Sequence, residues 1–74
     1  MLDKKVLGLK IKQIRTNKKM RQHDLATKSN LSRTYICDIE NGRYNPSLQS
    51  LVKISDALAV QLNDLVGSES EVVK

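Results

Sequence analysis

The sequence predicts an all-α fold, a compact bundle of five short helices. Leucine, isoleucine, valine and alanine recur three and four residues apart along most of the chain, which is the period of an amphipathic helix. The chain contains no Trp and no Phe, so its core must be built from these aliphatic side chains. Its 74 residues allow one small domain, close to the size at which a single hydrophobic core is barely sufficient.

The first helix is predicted at about residues 4–17. Leu7, Ile11 and Ile14 recur at helical spacing and form one apolar face, while the lysines of this segment point outward. The polar residues 17–19 then form a turn.

The second helix is predicted at about residues 22–29, after Met20, which packs inward ahead of it. Leu25 and Ala26 supply its apolar face. Asn30 follows, and asparagine is one of the few non-glycine residues that tolerate a left-handed backbone conformation. The helix is therefore expected to end in a tight turn.

The third helix is predicted at about residues 33–40. Ser32 is a favourable N-cap residue, and Ile36 and Ile39 lie three apart on one face. Asn41-Gly42 is a strong signal for the end of a helix. The opposite face carries short polar side chains, so this helix has one apolar side and one hydrogen-bonding side.

Two more helices are predicted after the loop 43–46. Ser47 can cap the fourth helix, and Val60 packs the turn that follows it. The buried stripe of the fourth helix consists of Leu51, Ile54 and Leu58 at helical spacing, with Ala57 beside it. A short fifth helix, ending at Gly67, is indicated by three further apolar residues: Leu62, Leu65 and Val66.

The net charge of +5 is unevenly distributed. Residues 1–43 contain eleven Lys and Arg against four acidic residues, a net +7, whereas residues 44–74 contain two Lys against four acidic residues, a net −2. A basic half beside a mildly acidic one is typical of a surface that faces a polyanion. The alternative that charge alone leaves open is a solvated basic face without a partner.

Several function classes lack the residues that they need. A single cysteine, Cys37, permits no internal disulfide, and with a single histidine, His23, it makes no metal site. There is no Ser/His/Asp set, no paired carboxylates and no phosphate-binding glycine loop, so we predict neither an enzyme nor a cofactor or small-molecule ligand. No segment resembles a signal peptide or is apolar for long enough to span a bilayer, and we expect a cytoplasmic protein.

The stretch from Gln22 to Gly42 predicts DNA binding. It consists of two short helices joined by a tight turn, and the second has an apolar back and a compact hydrogen-bonding front. Such a helix suits insertion into the DNA major groove, where base edges present distinct patterns of donors and acceptors. We therefore predict a sequence-specific binder of double-stranded DNA, with residues 33–40 as its recognition helix.

In their order and spacing these residues resemble the phage-repressor and Cro-type helix-turn-helix family, the xenobiotic-response-element group of bacterial regulators. The resemblance covers about residues 7–66 and rests on the following positions: Leu7-Gly8, Ile11, Ile14-Arg15, Gln22, Leu25-Ala26, Ile36, Ile39-Glu40-Asn41-Gly42, Asn45-Pro46-Ser47-Leu48, Leu51, Ile54, Ala57-Leu58 and Leu65. It implies a five-helix bundle of lambda-repressor-like type and, as for many members, a twofold dimer on operator DNA. Within the family, residues 30–36 look most like the small controller proteins of restriction–modification systems.

Three positions depart from the family pattern. Lys19 and Asn30 stand where glycine is common, and His23 replaces a usual acidic or small polar residue at the start of the second helix. Asparagine tolerates the left-handed conformation, so Asn30 is benign. At Lys19 we expect either mild strain in the turn or a different turn shape.

Three residues of the recognition helix are predicted to contact bases. Arg33 can donate two hydrogen bonds to guanine O6 and N7, which discriminates between bases by about 1–3 kcal/mol; its alternatives are a contact with phosphate only or an ordinary surface position. Thr34 can pack its methyl group on a thymine or bond a phosphate. Asp38 can accept from cytosine N4, and its alternatives are an ion pair with Arg33 or repulsion of misplaced phosphates.

Five residues are predicted to contact phosphates. The resemblance gives Gln22 a bond to phosphate and a bracing role for the recognition helix, and the free N–H groups at the start of its helix face the same anion. For Tyr35, packing against the neighbouring helix is an alternative. The four candidates besides Gln22 carry hydroxyl, phenol, amide or guanidinium groups, which bind phosphates and so fix the register of the protein on DNA without reading its sequence: Ser32, Tyr35, Asn41 and Arg43.

The resemblance also gives Arg15 and Glu40 a structural role. The matching residues of the family form a partly buried ion pair, which orients the recognition helix and does not touch DNA. Loss of one partner of a fully buried pair costs about 3–5 kcal/mol, because the other charge is left unpaired.

The predicted function is that of a transcription regulator acting as a homodimer on a palindromic operator, and more narrowly that of a restriction–modification controller. The alternatives are a phage, plasmid or mobile-element repressor of the same fold, and an antitoxin-like protein-interaction module. Residues 1–67 are expected to form the DNA-binding domain, followed by a polar tail, 68–74. The dimer surface is expected in the C-terminal part, where the alternative role of the apolar residues is to close a monomer core: Val60, Leu62, Leu65 and Val66.

Overall fold

The computed structural model describes residues 3–43 and 45–66, and within these ranges it contains five helices and no strand. The helices are α1 (Lys4–Asn17), α2 (Gln22–Ser29), α3 (Arg33–Glu40), α4 (Leu48–Ala57) and α5 (62–66). The predicted all-α fold is confirmed. The predicted polar tail, 68–74, and the predicted end of α5 at Gly67 lie outside the described residues.

One aliphatic core joins the helices. α3 packs against both α1 and α2, and α2 also packs against α4. Full burial of one such side chain contributes about 1.5–3 kcal/mol, so a core of this size is the main source of stability. Its buried side chains come from every helix and from the residue that follows α4: Leu7, Ile11, Leu25, Ala26, Ile36, Ile39, Leu51, Ile54, Leu58 and Leu65.

The structure corrects the assignment of Leu65 to a dimer surface. Its side chain is 1% exposed and belongs to the core of the monomer. The side chain is therefore not available to a partner. The other three residues of that prediction, Val60, Leu62 and Val66, are half-buried at the edge of the core.

Local hydrogen bonds determine where the helices begin. Asp3, Ser32 and Ser47 each accept from a backbone N–H two or three residues later, at 2.8, 3.0 and 3.1 Å.

α2 follows Arg21, whose side chain has no acceptor, and there Asp24 accepts from the backbone N–H of Arg21 at 2.9 Å. This bond, and then the Arg21 guanidinium, hold the pKa of Asp24 below its ordinary value of 3.8. The stabilisation of the fold by ionised Asp24 is therefore fully present above pH 3.8 and is lost as the pH falls through the lowered pKa.

The first four helices end in the same way. After each helix the chain passes through a residue of positive φ, and the next N–H donates to the carbonyl five positions back, which is a Schellman motif. The residues of positive φ are Lys19, Asn30, Gly42 and Ala59. The hydrogen bonds, at 3.0–3.1 Å, run from Met20 to Arg15, Leu31 to Ala26, Arg43 to Asp38 and Val60 to Ser55.

After three of these four helices, the residue that follows the positive-φ position is apolar and packs against the core. Met20, Leu31 and Val60 hold that position after α1, α2 and α4, and each packs against the core. After α3 the position is held by Arg43, which is exposed. The end of α3 is thus built differently from the other three ends.

We predict that Lys19→Gly raises the free energy of unfolding by about 1 kcal/mol, because a side chain in the left-handed region costs about 1–2 kcal/mol that glycine avoids. Lys19 has a φ of 59°, so the turn keeps the shape that glycine would give it and is strained. Urea denaturation followed by circular dichroism measures the difference. Lys18→Gly is the control, since Lys18 has a φ of −89° and should gain nothing. Equal stability of the two variants would contradict the strain at Lys19.

Candidate nucleic-acid interface

A buried ion pair joins α1 to the end of α3. Nε and Nη2 of Arg15 donate to the two carboxylate oxygens of Glu40 at 2.6 and 3.0 Å, which is the two-pronged geometry that a guanidinium favours. Nη1 of Arg15 donates to the carbonyl oxygen of Met20 at 2.7 Å, and Nε2 of Gln22 donates to Glu40 Oε1 at 3.1 Å. The Arg15 and Glu40 side chains are 9% and 1% exposed. This network connects α1, the turn, the start of α2 and the recognition helix.

A glycine brings the backbones of α1 and α3 together. A Cβ atom on Gly8 would overlap the carbonyl oxygen of Ile39 and would lie 2.9 Å from that of Glu40. Gly8 and Arg15 are seven residues apart, so they lie two turns apart on the same face of α1. α1 therefore holds α3 by direct backbone packing at one point and by the ion pair at another.

A shallow groove of about 220 Å³ opens at the front of α3. Arg33 and Thr34 are exposed in the first turn of the helix, and neither has a hydrogen-bond or ion-pair partner among the described residues. The groove brings together five of the residues that the sequence predicted to contact DNA, together with Cys37: Gln22, Arg33, Thr34, Asp38 and Arg43.

Asp38 forms an ion pair with Arg43, not with Arg33. Arg43 Nη1 donates to Asp38 Oδ1 at 2.6 Å, and the two side chains are 66% and 20% exposed. The pairing with Arg33 raised from the sequence as an alternative is thus not the one observed. Both arginines lie five residues from Asp38, but residues five apart in a helix are rotated by about 140°, and the turn at Gly42 brings Arg43 back.

The remaining predicted DNA contacts lie at the edges of the groove. Ser32 is exposed at the N-terminus of α3, and Asn41 is exposed at its C-terminus, where Nδ2 donates to Cys37 Sγ at 3.5 Å. Tyr35 is half-buried, packs against the core and donates from Oη to Ser50 Oγ of α4 at 3.1 Å. The structure thus shows for Tyr35 the helix packing that the sequence offered as its alternative.

Two contacts near the groove were not predicted from the sequence. Ser50 ties Tyr35 to α4, and the Nζ of Lys4 donates to the carbonyl oxygen of Arg43 at 3.2 Å, which adds a positive charge beside the end of α3. Lys4 and Arg43 are 39 residues apart, and no spacing pattern connects them. Only the packing of α1 along α3 brings them together.

The part of the chain that the structure describes contains no group of three or more His, Cys, Asp or Glu side chains that could hold a metal ion. Among the same residues, no helix combines the length and the apolar character needed to cross a bilayer.

The fold and the groove match known proteins. A family model described as helix-turn-helix matches residues 11–65. The chain belongs to the helix-turn-helix family. It is 50% identical over 62 residues to the control protein C.BamHI of Bacillus amyloliquefaciens, covering 82% of this chain and 76% of that protein.

Two further proteins are similar to the chain. The chain is 48% identical over 64 residues to the immunity repressor protein of Bacillus phage phi105, covering 86% of this chain and 44% of the repressor, so it spans less than half of that protein's length. The wild-type restriction–modification controller protein C.Esp1396I has the same fold, with a TM-score of 0.82, 36% identity and coverage of 99% of this chain and 95% of that chain. The family resemblance inferred from the sequence is confirmed.

We predict that Arg15→Met alone or Glu40→Leu alone lowers the free energy of unfolding by about 3–5 kcal/mol, because each leaves an unpaired buried charge. The double variant should recover part of the loss, since no unpaired charge is then buried. Chemical denaturation of the wild type, both single variants and the double variant measures the coupling.

Arg21→Met is the matched control for this cycle. Arg21 and Asp24 form an ion pair whose side chains are 81% and 36% exposed, and such surface pairs contribute about 0–1 kcal/mol. Strictly additive losses for Arg15→Met and Glu40→Leu would show that the two side chains do not stabilise each other.

Proposed function

We propose that this protein is a transcription regulator that binds a palindromic operator in double-stranded DNA as a homodimer, with α3 in the major groove. The observation that carries the proposal is the guanidinium of Arg33, exposed in the first turn of α3 without a partner among residues 3–43 and 45–66. A planar group with two parallel donors matches O6 and N7 of guanine. Thr34, beside it, offers a methyl group to thymine.

Phosphate contacts on both sides of Arg33 would set the register of the helix. The Gln22 side chain is already bonded to Glu40, so it is pre-oriented at the start of α2, where free backbone N–H groups favour an anion. The Ser32 oxygen accepts from the chain, which leaves its O–H to donate to a phosphate. Asn41 and Arg43 lie at the opposite end of α3. This arrangement separates positioning contacts from base contacts, as in known protein–DNA interfaces.

The charge distribution supports DNA over a protein partner. Residues 1–43 carry a net +7 and include the whole groove, whereas the rest of the chain is net negative. Binding to duplex DNA releases counterions, so the logarithm of the affinity should fall with the logarithm of salt concentration by about 0.9 for each phosphate contacted. A protein-interaction module would lack this steep dependence, and a salt titration with duplex DNA therefore separates the two functions.

The proposed dimer surface consists of Val60, Leu62 and Val66. Leu62 and Val66 lie four apart on α5, so they share a face, and all three side chains are half-buried in the monomer. One recognition helix contacts only a few base pairs, which is too little for useful specificity in a genome. A twofold dimer would place two recognition helices about 34 Å apart, one helical turn of DNA.

Both a phage repressor and restriction–modification controllers are similar to this chain, and we propose a regulator of this combined type. We propose that it acts in the cytoplasm without a cofactor and without catalytic activity. The genes beside it discriminate between the two biological systems, because a neighbouring methyltransferase and endonuclease identify a controller.

We predict that Arg33→Ala stays folded but loses its preference for the operator, because a base contact is removed while phosphate contacts persist. Arg43→Ala should weaken binding to cognate and scrambled duplexes alike. Because one phosphate contact is lost, the slope of log affinity against log salt concentration should fall in magnitude by roughly 0.9. Fluorescence anisotropy with both duplexes at several salt concentrations measures these effects. An equal loss on both duplexes for Arg33→Ala would contradict its role as a base contact.

We predict that Leu62→Asp shifts the protein toward monomer and makes DNA binding depend more steeply on protein concentration, because it places a charge in the apolar contact. Sedimentation velocity measures the shift, and circular dichroism confirms that the helices persist. Asn63→Asp is the matched control, since it adds the same charge at an exposed neighbouring position of α5.

Two results would contradict this surface. A wild-type protein that sediments as a monomer at tens of micromolar, both free and on its operator, would exclude the dimer. A Leu62→Asp protein that stays dimeric would move the contact elsewhere, for example to Leu48 and Val52 of α4, which are 68% and 41% exposed.

A further inference from the structure

We propose that Asp38 is a positioning residue for DNA binding: it holds the guanidinium of Arg43 in place at the end of the recognition helix. This inference rests on the proposed function, and it assigns to Asp38 a role different from the base contact that the sequence predicted.

The contact that closes α3 is polar where the other helix ends are apolar. At the ends of α1, α2 and α4 an apolar residue after the positive-φ position packs against the core. At the end of α3 that residue is Arg43, which is bonded to Asp38 twice. Its backbone N–H donates to the Asp38 carbonyl oxygen at 3.0 Å, and its Nη1 donates to Asp38 Oδ1 at 2.6 Å. Backbone and side chain of Arg43 are therefore both fixed by one residue of the recognition helix.

The exposure of the two side chains shows which is the anchor. Asp38 is 20% exposed and lies in the wall of the groove, whereas Arg43 is 66% exposed. One of the five guanidinium N–H groups is used in the bond to Asp38, which leaves the others available to a phosphate oxygen. Lys4 supports the same place from α1, because its Nζ donates to the Arg43 carbonyl oxygen. The arrangement presents a pre-oriented arginine at the end of the recognition helix.

Pre-orientation affects binding more than folding. An exposed ion pair contributes little to stability. Ordering a long side chain on binding, in contrast, lowers the affinity by about threefold to tenfold per side chain. Because Asp38 already orders the Arg43 side chain in the free protein, binding to DNA does not lose this affinity. The negative charge of Asp38 near the phosphates acts in the opposite direction.

Charge and positioning make opposite predictions for the removal of Asp38. If only charge matters, Asp38→Asn makes the groove more positive and tightens binding to every duplex. If Asp38 positions Arg43, the same change weakens binding to the operator about threefold to tenfold. On scrambled DNA, where no fixed register is required, the charge effect persists and binding is unchanged or tighter. The preference for the operator therefore falls.

The experiment uses a duplex selected from a random-sequence library by the wild-type protein, and a scrambled version of it. Affinities are measured for the wild type, Asp38→Asn and Asp38→Glu, each also combined with Arg43→Ala. Asp38→Glu keeps the charge and only moves the carboxylate, so a weaker operator complex in this variant reports misplacement alone. Asp56→Asn is the matched charge control, because the side chain of Asp56 is exposed on α4 and forms no ion pair or hydrogen bond among the described residues. Thermal denaturation checks that every variant is folded.

The expected result is a loss of operator affinity for Asp38→Asn and Asp38→Glu that disappears when Arg43 is alanine. Tightening by Asp38→Asn to the same extent as by Asp56→Asn would overturn the proposal. A loss that persists in the Arg43→Ala background would also overturn it, and would assign Asp38 a direct contact with a base. If the wild type enriches no duplex from the library, the proposed function itself fails, and this result differs from the other two.

Discussion

The placement of α3 against α1 and α2 depends on the buried contact between Arg15 and Glu40. Four segments meet there: α1 supplies Arg15, the turn after it supplies the carbonyl oxygen of Met20, α2 supplies Gln22 and α3 supplies Glu40. Burial of an ion pair costs desolvation that its attraction only partly offsets, so the pair need not stabilise the fold overall. The main effect of the ion pair is on the orientation of α3. An aliphatic core tolerates small rotations of a helix, whereas the directional hydrogen bonds of this network weaken when α3 rotates relative to α1 and α2.

The ion pair can act in this way because the surrounding contacts leave little freedom. Gly8 allows the backbone of α1 to touch the end of α3, and a larger residue would push the two helices apart. Ile36 and Ile39 hold the back of α3 in the core, and the bond from Tyr35 to Ser50 ties its side to α4. Within the described residues no buried side-chain nitrogen or oxygen lacks a hydrogen bond. α3 is therefore held on three sides, and its front faces solvent.

The two ends of α3 are built differently. At its N-terminus, Ser32 caps the helix and Arg33 projects from the first turn without a partner among the described residues, a position suited to reaching a base. At its C-terminus the chain turns at Gly42, and Arg43 folds back onto Asp38. The helix that is proposed to enter DNA thus carries one arginine that is open to a ligand and one that is held. A protein needs both kinds, because base contacts discriminate only when phosphate contacts have set the register.

The sequence alone determined the helices and the family. Apolar spacing, turn residues and N-cap residues placed the first three helices at the bounds that the structure shows and gave the start of the fourth, because these signals act over a few neighbouring residues. The resemblance, carried by residues spread over most of the chain, pointed to the pairing of Arg15 with Glu40, which no local signal predicts. Lys19 departs from the glycine common in the family, and its positive φ corresponds to mild strain, one of the two outcomes that the sequence leaves open.

Only the tertiary structure decided which partner each polar or apolar group has. Arg33 and Arg43 lie at the same distance in sequence from Asp38, and the turn after α3 determines that Arg43 is the one that pairs. Apolar periodicity showed that Leu62, Leu65 and Val66 are apolar positions of α5, but not that the core covers Leu65 and leaves the other two half-buried. Sequence patterns record the chemistry of a residue and the face of its helix. What covers that face depends on how separate helices are placed in space, which contacts between residues distant in sequence decide.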